Sequence, residues 1–366
     1  MREDARLAKP RLEIDLEAIV ANWRSLARMV APAECAAVVK ADAYGLGLAP
    51  VARALARAGC RTFFVARPEE GAELRALLPA VRILVLDGLA LRPPAFFLEA
   101  RLAPVLGSAA ELRAWRAACR AAETAEEAAL LLDTGLTRLG SDAAELAELG
   151  AAERACVGLL ASHLACADEP EHPLNRRQRA RLVAARALFP RARASLAASS
   201  GIFLGPAYHF DLVRPGAALF GLNPTPGRPN PMRPVVRLIA PVLRVHEVRE
   251  AGSVGYGAEF PTRPGMRIAV VPVGYADGYP RAAGGRAKAR IRQDEVPVVG
   301  RVSMDLLTLD VSGIAASAVA PGTPVELLGP AFDADALAAA AGTIGYEILT
   351  RLGRRFERCY RGGEAH

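Results

Sequence analysis

Lysine is rare in this chain, and one of its lysines stands where an amine could do chemistry. Of the 46 basic residues in the 366-residue sequence, only Lys9, Lys40 and Lys288 are lysines. Lys40 ends the apolar run Ala36–Val39 and precedes a Gly-containing segment, residues 41–47. A lysine at the end of a buried strand can lose its proton and act as a nucleophilic amine, which arginine cannot do. The alternative is a strand-end side chain with its stem on apolar surface and its ammonium in water.

The first two thirds of the chain predict the scaffold that carries Lys40. Short apolar runs alternate with Ala-rich helical stretches, from the strand Cys35–Val39 to the run Leu212–Leu219. Continuous apolar strands with helices between them predict a parallel sheet buried on both faces, and about eight such units favour a (β/α)8 TIM barrel. The active site of that fold lies at the carboxyl ends of the strands. The polar residues expected near those ends are Lys40, Arg138, His163, Ser199 and Arg214.

The pattern changes after a Pro- and Gly-rich segment, residues 221–234, which is typical of a linker. Beyond it, apolar runs separated by turn signals predict strands, and one Ala-rich stretch predicts a helix. The predicted strands are Val235–Val248, Met266–Val273, Lys288–Ile291, Val296–Val302, Leu306–Val311 and Pro324–Leu328, followed by the helix Ala334–Ala341 and a further short run, Gly345–Leu349. We therefore predict two domains, a barrel over residues 1–234 and a mainly β domain over residues 235–366.

Composition argues against several classes of protein. The net charge is +7, but the arginines are scattered among acidic residues and alanines, which disfavours nucleic acid as a partner. The six cysteines are dispersed without a C-x-x-C pair, as in a reduced cytoplasmic protein, and no metal site is expected. The sequence contains neither a signal-peptide pattern nor an apolar stretch of membrane-spanning length, so no membrane association is expected.

A Schiff-base lysine in a barrel favours pyridoxal 5′-phosphate (PLP) as the cofactor. Its phosphate needs hydroxyls and backbone amides, its pyridine nitrogen needs a partner, and its ring needs a stacking face. The segments Ser199–Gly201 and Arg214–Gly216, together with His163 and Tyr44, could supply these groups.

Eight segments carry a resemblance to a known family. They are Ala37–Gly47, Asp133–Gly140, Ser162–Asp168, His209–Gly216, Val254–Gly257, Gly274–Pro280, Gly300–Asp305 and Thr343–Glu347. In their order and composition they resemble the motifs of alanine racemases, which are PLP enzymes of fold type III. A single segment would be weak evidence, but the eight together cover both predicted domains.

The resemblance implies an isomerase that interconverts L-alanine and D-alanine with two bases. Lys40 would bind PLP as a Schiff base and act on the α-proton from one face, and Tyr256 would act from the opposite face. Family members draw this tyrosine from a second subunit, so the resemblance implies a homodimer with composite active sites. It also implies a role in supplying D-alanine for peptidoglycan, although a catabolic role is equally compatible.

The resemblance also implies the remaining site residues. Arg214 would face the pyridine nitrogen, the alternative being a surface ion pair with Asp211. His163 would stack on the ring, Arg138 would bind the phenolic oxygen and the substrate carboxylate, and Tyr275 would narrow the channel to the site. The phosphate would be held by Ser199, Tyr44, Tyr346 and the amide of Gly216, and the amide of Met304 would help to bind the carboxylate.

The sequence departs from the family pattern at four positions. Leu131 replaces a lysine whose carbamate orients the Arg138 equivalent in many members, so we predict no carbamate here. A chloride, a water or another carboxylate would then orient Arg138, or the arginine is held more loosely. Ala198, Ser303 and Ser195 replace the usual Asn, Cys and His.

These departures leave other functions open. A racemase with broader specificity, for example toward serine, is the nearest alternative. A non-catalytic PLP-binding protein would share the barrel and the lysine but lack the second domain and the Tyr256 segment. A decarboxylase of the same fold type would share both domains but not these motifs.

Overall fold

The computed structural model describes residues 9–124 and 128–362, which divide into two compact units. Among the described residues, the barrel unit covers residues 18–233, and the β unit combines residues 9–17 with residues 234–362. The first described strand, β1 (Arg11–Asp15), belongs to the β unit and leads directly into helix α1 (Leu16–Val30).

Parallel strands and helices alternate through the barrel unit. Its strands are β2 (Glu34–Cys35), β3 (Ala37–Val38), β4 (Thr62–Val65), β5 (Arg82–Val85), β6 (Ala103–Leu106), β7 (Ala128–Leu131), β8 (Val157–Ala161), β9 (Arg193–Ser195) and β10 (Leu212–Val213). Its further helices are α2 (Lys40–Gly45), α3 (Leu48–Arg57), α4 (Pro68–Leu77), α5 (Pro94–Glu99), α6 (Ala109–Ala121), α7 (Ala143–Ala147), α8 (Ala151–Arg154), α9 (Pro173–Arg186) and α10 (Ser199–Ile202), with short 3₁₀ helices at Pro206–Tyr208 and Ala217–Phe220.

The strands of this unit close into a ring. Strands β3 to β9 pair in sequence order, and β10 pairs with β2. The backbone bond from Asp211 N to Ala194 O (3.0 Å) joins β10 to β9, and Val38 N donates to Pro215 O (2.9 Å) on the other side. With β2 and β3 counted as one interrupted strand, the described part of the chain contains eight parallel strands in a closed barrel. The predicted (β/α)8 fold is confirmed.

Burial explains why these apolar runs become strands of a barrel. Phe63, Phe64 and Val65 of β4 are fully buried, as expected for a sheet covered on both faces. The surrounding helices are amphipathic: α6 buries Leu112, Trp115 and Cys119 at helical spacing. Each side chain that follows a strand is thereby fixed at the same rim of the barrel.

The β unit is built around a sheet that the described residues arrange as nine strands. Its order is β12-β15-β18-β17-β16-β19-β11-β1-β20, and β13 and β14 form a separate hairpin. The strands are β11 (Val236–Pro241), β12 (Arg244–Glu247), β13 (Gly252–Val254), β14 (Phe260–Thr262), β15 (Arg267–Val271), β16 (Lys288–Ile291), β17 (Asp294–Val299), β18 (Leu307–Asp310), β19 (Pro324–Leu328) and β20 (Glu357–Arg361). The helices are α11 (Ala334–Ala341) and α12 (Gly345–Arg351), with 3₁₀ helices at Tyr256–Ala258, Tyr275–Asp277, Arg281–Ala283 and Ala316–Ala318.

Three details differ from the sequence prediction. The predicted strand Val235–Val248 is two strands, β11 and β12. The segment up to Glu17 groups with the β unit rather than with the barrel, because β1 pairs with β11 and β20 and buries Leu12 and Ile14 completely. The short run Gly345–Leu349, predicted among the strands, is part of helix α12. Its buried positions Gly345, Ile348 and Leu349 have the i, i+3, i+4 spacing of a helix face.

Candidate active site

The carboxyl rim of the barrel carries the five polar residues that the sequence placed there. Lys40 and Arg214 follow β3 and β10, which flank the closing seam, and Ser199 follows β9. His163 follows β8, and Arg138 lies in the loop after β7. The charges of Lys40, Arg138 and Arg214 all act on the His163 ring, so the structure brings these four residues together.

Lys40 has an environment that favours the neutral amine. The side chain is half-buried, and its pKa lies below the usual value for lysine. Burial is the main cause and the nearby Arg138 guanidinium adds to it, whereas Asp87 and Glu70 oppose the shift. An amine with a lowered pKa carries a larger neutral fraction at physiological pH, which nucleophilic attack and proton abstraction both require.

The backbone after Lys40 has an uncommon conformation. Ala41, Asp42, Ala43 and Tyr44 all lie in the left-handed region, with φ between 51° and 57°. Each non-glycine residue in this conformation costs about 1–2 kcal/mol. Such a turn persists only where its surroundings hold it, and strained backbone of this kind concentrates at functional sites.

Side-chain carboxylates hold this turn. Asp42 Oδ1 accepts from the amide of Leu48 (2.6 Å) at the start of α3, and Glu70 Oε1 accepts from the amide of Ala41 (2.6 Å). The turn carries Tyr44 into a buried position against Phe220, with ring centroids 4.8 Å apart. Lys40 and Tyr44 are thus placed by one braced segment.

Tyr44, Ser199 and Gly216 form a cluster of hydrogen-bonding groups. The Ser199 hydroxyl oxygen accepts from the amides of Gly216 and Ala218, both at 3.1 Å, which leaves its proton available to an anion. A Cβ on Gly216 would lie 2.3 Å from Tyr44 Oη, so only glycine allows the phenol to approach this backbone. Two hydroxyls beside backbone amides suit a phosphate, and the residues present therefore fit PLP. The amide of Gly216, predicted to hold the phosphate, donates to Ser199 in this structure.

Arg214 is buried among neutral partners. Its Nη2 donates to the Ser162 carbonyl (2.6 Å), and its Nη1 donates to the Ser195 hydroxyl. Burial lowers its pKa to about 10, which still leaves it protonated at neutral pH. The alternative pairing with Asp211 is wrong, because that carboxylate binds Arg186 (2.9 Å) and the amide of Ala194 (2.7 Å).

His163 is held as a neutral ring. Burial, followed by the charges of Arg214, Arg138 and Lys40, lowers its pKa to about 3. A neutral imidazole avoids a further positive charge at this rim, and it can present a ring face to a planar cofactor. Its role in stacking remains a prediction.

Arg138 is exposed, and the loop that carries it is organised by Asp133. The Asp133 carboxylate accepts from the amides of Gly135, Leu136 and Thr137 at 2.7, 2.9 and 3.2 Å. Although burial acts in the opposite direction, these bonds keep its pKa below the usual value. Leu131 ends β7 with an aliphatic side chain that cannot carry a carbamate.

Helix α9 fixes the loops of Arg138 and His163 through a buried polar network that sequence reasoning missed. The Gln178 amide nitrogen donates to His163 O (2.8 Å) and Thr134 Oγ1 (3.1 Å), and its oxygen accepts from the amide of Ala165 (2.9 Å). Thr134 Oγ1 in turn lies 2.8 Å from Ser162 Oγ. The i, i+3 spacing of Asn175 and Gln178, the two uncharged polar residues of a helix otherwise made of arginine and apolar residues, was the available signal. Asp87, just beyond β5, could have been found by the same strand-end rule as Lys40.

The remaining predicted site residues lie in the β unit. Tyr256 is 72 % exposed and stands between Gly255 and Gly257, both with positive φ. The amide of Tyr275 donates to Ser303 O (3.1 Å), which places Tyr275 beside the segment of Met304. Tyr346 lies on α12, and these aromatic and Met side chains are all exposed.

Arg355 ties the two loops of the β unit together. It pairs with Asp277 at 3.0 Å and with Asp305 at 2.8 Å, thereby linking the segments of Tyr275 and Met304.

Among the residues that the structure describes, no group of three or more His, Cys, Asp or Glu could hold a metal ion. Nor does any helix in the described ranges have the length and apolar character needed to cross a bilayer.

Comparison with known proteins accounts for both units. Residues 14–224 match the family "Alanine racemase, N-terminal domain", and residues 235–360 match "Alanine racemase, C-terminal domain". The chain is 51 % identical over 357 residues to the alanine racemase of Rhodospirillum rubrum, covering 96 % of each protein. It is 47 % identical to a catabolic alanine racemase of Mesorhizobium japonicum and 43 % identical to a biosynthetic one of Agrobacterium fabrum, covering 96 % of this chain and 93 % of the relative in both cases.

A solved structure agrees with these sequence relationships. The crystal structure of alanine racemase from Bartonella henselae with covalently bound pyridoxal phosphate superposes with a TM-score of 0.92 at 39 % identity. It covers 97 % of this chain and 100 % of that one. The chain belongs to the alanine racemase family.

Proposed function

We propose that this protein is a PLP-dependent racemase that interconverts L-alanine and D-alanine. The observation that carries the proposal is the arrangement of Lys40 at the barrel rim. The pKa of Lys40 is lowered, Lys40 lies near Arg138 and His163, and the hydroxyls and amides of the Tyr44–Ser199–Gly216 cluster suit a phosphate. When bound, PLP supplies an electron sink that stabilises negative charge on the α-carbon of an amino acid.

Two bases exchange the α-proton. In one direction the neutral amine of Lys40 takes the proton from one face of the α-carbon, and the phenol of Tyr256 donates a proton to the other face. In the reverse direction the phenolate of Tyr256 takes the proton and the ammonium of Lys40 donates one. A single base on one face would return the proton with retention, so inversion requires both residues. The exposure of Tyr256 supports its delivery to an active site of a second subunit, as part of a homodimer with composite sites.

Arg214 would limit how far negative charge spreads into a bound cofactor. Its buried guanidinium, held by Ser195 and Ser162, remains protonated at neutral pH and does not transfer a proton to a neighbouring group. A second positive charge beside it is unfavourable, so a pyridine nitrogen placed there stays unprotonated. The α-carbon is then reprotonated quickly, and transamination is suppressed.

The other predicted contacts belong to the same proposal. Arg138 and the amide of Met304 bind the substrate carboxylate, His163 stacks on the cofactor, Tyr346 joins the phosphate site and Tyr275 narrows the access channel. We further propose that the enzyme is cytoplasmic and supplies D-alanine for peptidoglycan, with catabolism as the alternative role.

Proton exchange in D₂O tests the reaction. The purified, PLP-loaded protein is incubated with L-alanine and, separately, with L-serine. We expect loss of the α-proton signal together with formation of the D-isomer, faster for alanine. Comparable rates for serine would favour the broader specificity left open by Leu131, and no exchange with any amino acid would refute the racemase.

Matched substitutions test the two bases. Lys40→Ala should abolish the absorbance of the lysine-bound cofactor, whereas Lys288→Ala, which removes an exposed lysine paired with Glu295, should not. Tyr256→Phe should slow exchange from one alanine enantiomer far more than the other while leaving cofactor binding intact. Tyr360→Phe, at another exposed tyrosine, is its control. Equal slowing of both enantiomers by Tyr256→Phe would contradict its assignment to one face.

A further inference from the structure

Glu70 connects the turn that follows Lys40 to helix α4. It stands at the third position of helix α4, where its Oε2 accepts from the amides of Ala66 (2.8 Å) and Arg67 (3.1 Å). This is the helix-capping role that a glutamate has at this position. The other oxygen, Oε1, leaves the helix and accepts from the amide of Ala41 (2.6 Å).

The bond to Ala41 lies at a critical point of the chain. Ala41 directly follows Lys40 and begins the run of four left-handed residues. Its amide is bound by a charged acceptor, the stronger kind of hydrogen bond, although the residue itself is exposed. Asp42 holds the far side of the same turn through Leu48. On the side of Lys40, the amide of Ala43 donates to Val39 O (3.0 Å), and Glu70 adds a charged side-chain contact there.

We propose that Glu70 is a positioning residue for Lys40, acting through the amide of Ala41 to hold the left-handed turn in the form that binds the cofactor. Oε2 alone caps helix α4, and Oε1 is used for the bond to the turn at Ala41. Without that oxygen, the left-handed residues relax toward ordinary conformations, and the amine is no longer held at the rim beside Arg138. The inference rests on the proposed function, because it assigns to Lys40 the bond with PLP.

The substitution Glu70→Gln separates the two roles of this side chain. Glutamine also caps helices at this position, so its oxygen can keep the amides of Ala66 and Arg67. Its NH₂ group then faces the amide of Ala41, donor against donor. The matched control is Glu69→Gln, which removes the same charge from the neighbouring residue, an exposed one paired with Arg92 at 2.7 Å.

The first measurement is the affinity for PLP, from the absorbance of the lysine-bound cofactor in the full-length chain. We expect Glu70→Gln to weaken binding by about tenfold or more, and Glu69→Gln to change it by less than about twofold. Leu112→Ala, a core substitution on α6 remote from the turn, shows how much affinity a general loss of stability removes. The proposal is overturned if Glu70→Gln binds PLP like the wild type or no worse than Leu112→Ala.

The second measurement is hydrogen exchange at the Ala41 amide of the wild-type chain, before and after PLP is removed. We expect protection in both states, and its loss in Glu70→Gln. Exchange in the wild type at the rate of an unstructured peptide would overturn the proposal, even if the variant failed to fold. Absence of the cofactor absorbance in the wild type would instead refute the proposed function, while the protection of Ala41 would still report on the brace.

Discussion

Replacing Ser195 by alanine tests whether neutral groups alone hold Arg214. The Ser195 hydroxyl accepts from Arg214 and donates to the carbonyl of Leu212 at 2.6 Å. Ser195 and Leu212 are fully buried, and Arg214 is 5 % exposed. The substitution leaves one charged donor and one carbonyl without their partner, at about 1–3 kcal/mol for each buried group. We expect the barrel unit to lose about 2–4 kcal/mol of unfolding free energy, since the Arg214 bond to Ser162 remains.

Tryptophan fluorescence during urea unfolding is the appropriate assay. Trp23 and Trp115, the only tryptophans of the sequence, both lie in the barrel unit, so their signal reports on that unit. Ser25→Ala on helix α1 is the control and should change stability by less than about 0.5 kcal/mol. Ser195→Cys, with a weaker hydrogen-bonding group of similar shape, should fall between the wild type and the alanine variant. A loss below about 0.5 kcal/mol for Ser195→Ala would show that the hydroxyl carries no buried charge-assisted bond to Arg214.

Other expectations follow from single contacts. Gly216→Ala places a methyl group 2.3 Å from the Tyr44 hydroxyl and should weaken PLP binding about tenfold or more. Unchanged affinity in an absorbance titration would contradict the close approach of Tyr44 to Gly216. Burial and neighbouring cations lower the pKa of His163 from 6.5 to about 3 in the folded protein. Its neutral ring therefore contributes fully to the free energy of unfolding above pH 6.5, and this contribution is lost as the pH falls toward 3. His163→Gln should therefore show a shallower fall in unfolding free energy between pH 6.5 and 4, and an identical fall would argue against the shift. Gln178→Leu removes a buried amide that bonds the loops of Thr134 and His163. It should lower kcat/KM for alanine about tenfold or more, mainly through a higher KM if the carboxylate site is disturbed. Kinetics equal to those of the wild type would exclude a role for this network. Tyr279→Phe removes a buried hydroxyl without a hydrogen-bond partner among the described residues and should leave the melting temperature unchanged or higher, whereas a clear fall would reveal a partner for that hydroxyl.

The strand-end rule accounts for most of what the sequence predicted about the site. Apolar runs separated by helices predicted a closed parallel barrel, and closure necessarily brings residues after different strands to one rim. Lys40, His163 and Arg214 could therefore be grouped before their distances were known. The motifs of the alanine racemase family added the roles, and the comparisons confirmed the family.

Long-range pairing escaped the sequence-based prediction. Strand β1 precedes the barrel in the chain but pairs with β11 and β20, and nothing in its local pattern specifies these partners. The run Gly345–Leu349 is too short for periodicity to separate helix from strand. Both features depend on which surface the rest of the chain offers for burial.

The sequence alone predicted Lys40 as the reactive amine, because it ends a buried apolar run, an amine can act where arginine cannot, and the surrounding motif resembles that of the alanine racemases. It also determined that Leu131 removes the family's carbamate, because a side chain without nitrogen cannot carry one. The position of Lys40 and its lowered pKa depend on the tertiary structure. The left-handed turn is unfavourable for residues such as Ala41, so no local propensity predicts it. The carboxylates of Asp42 and of Glu70, which reaches the turn from helix α4, hold it. The lowered pKa of Lys40 likewise arises from burial and from Arg138, which lies almost a hundred residues away in the sequence and beside it in the barrel.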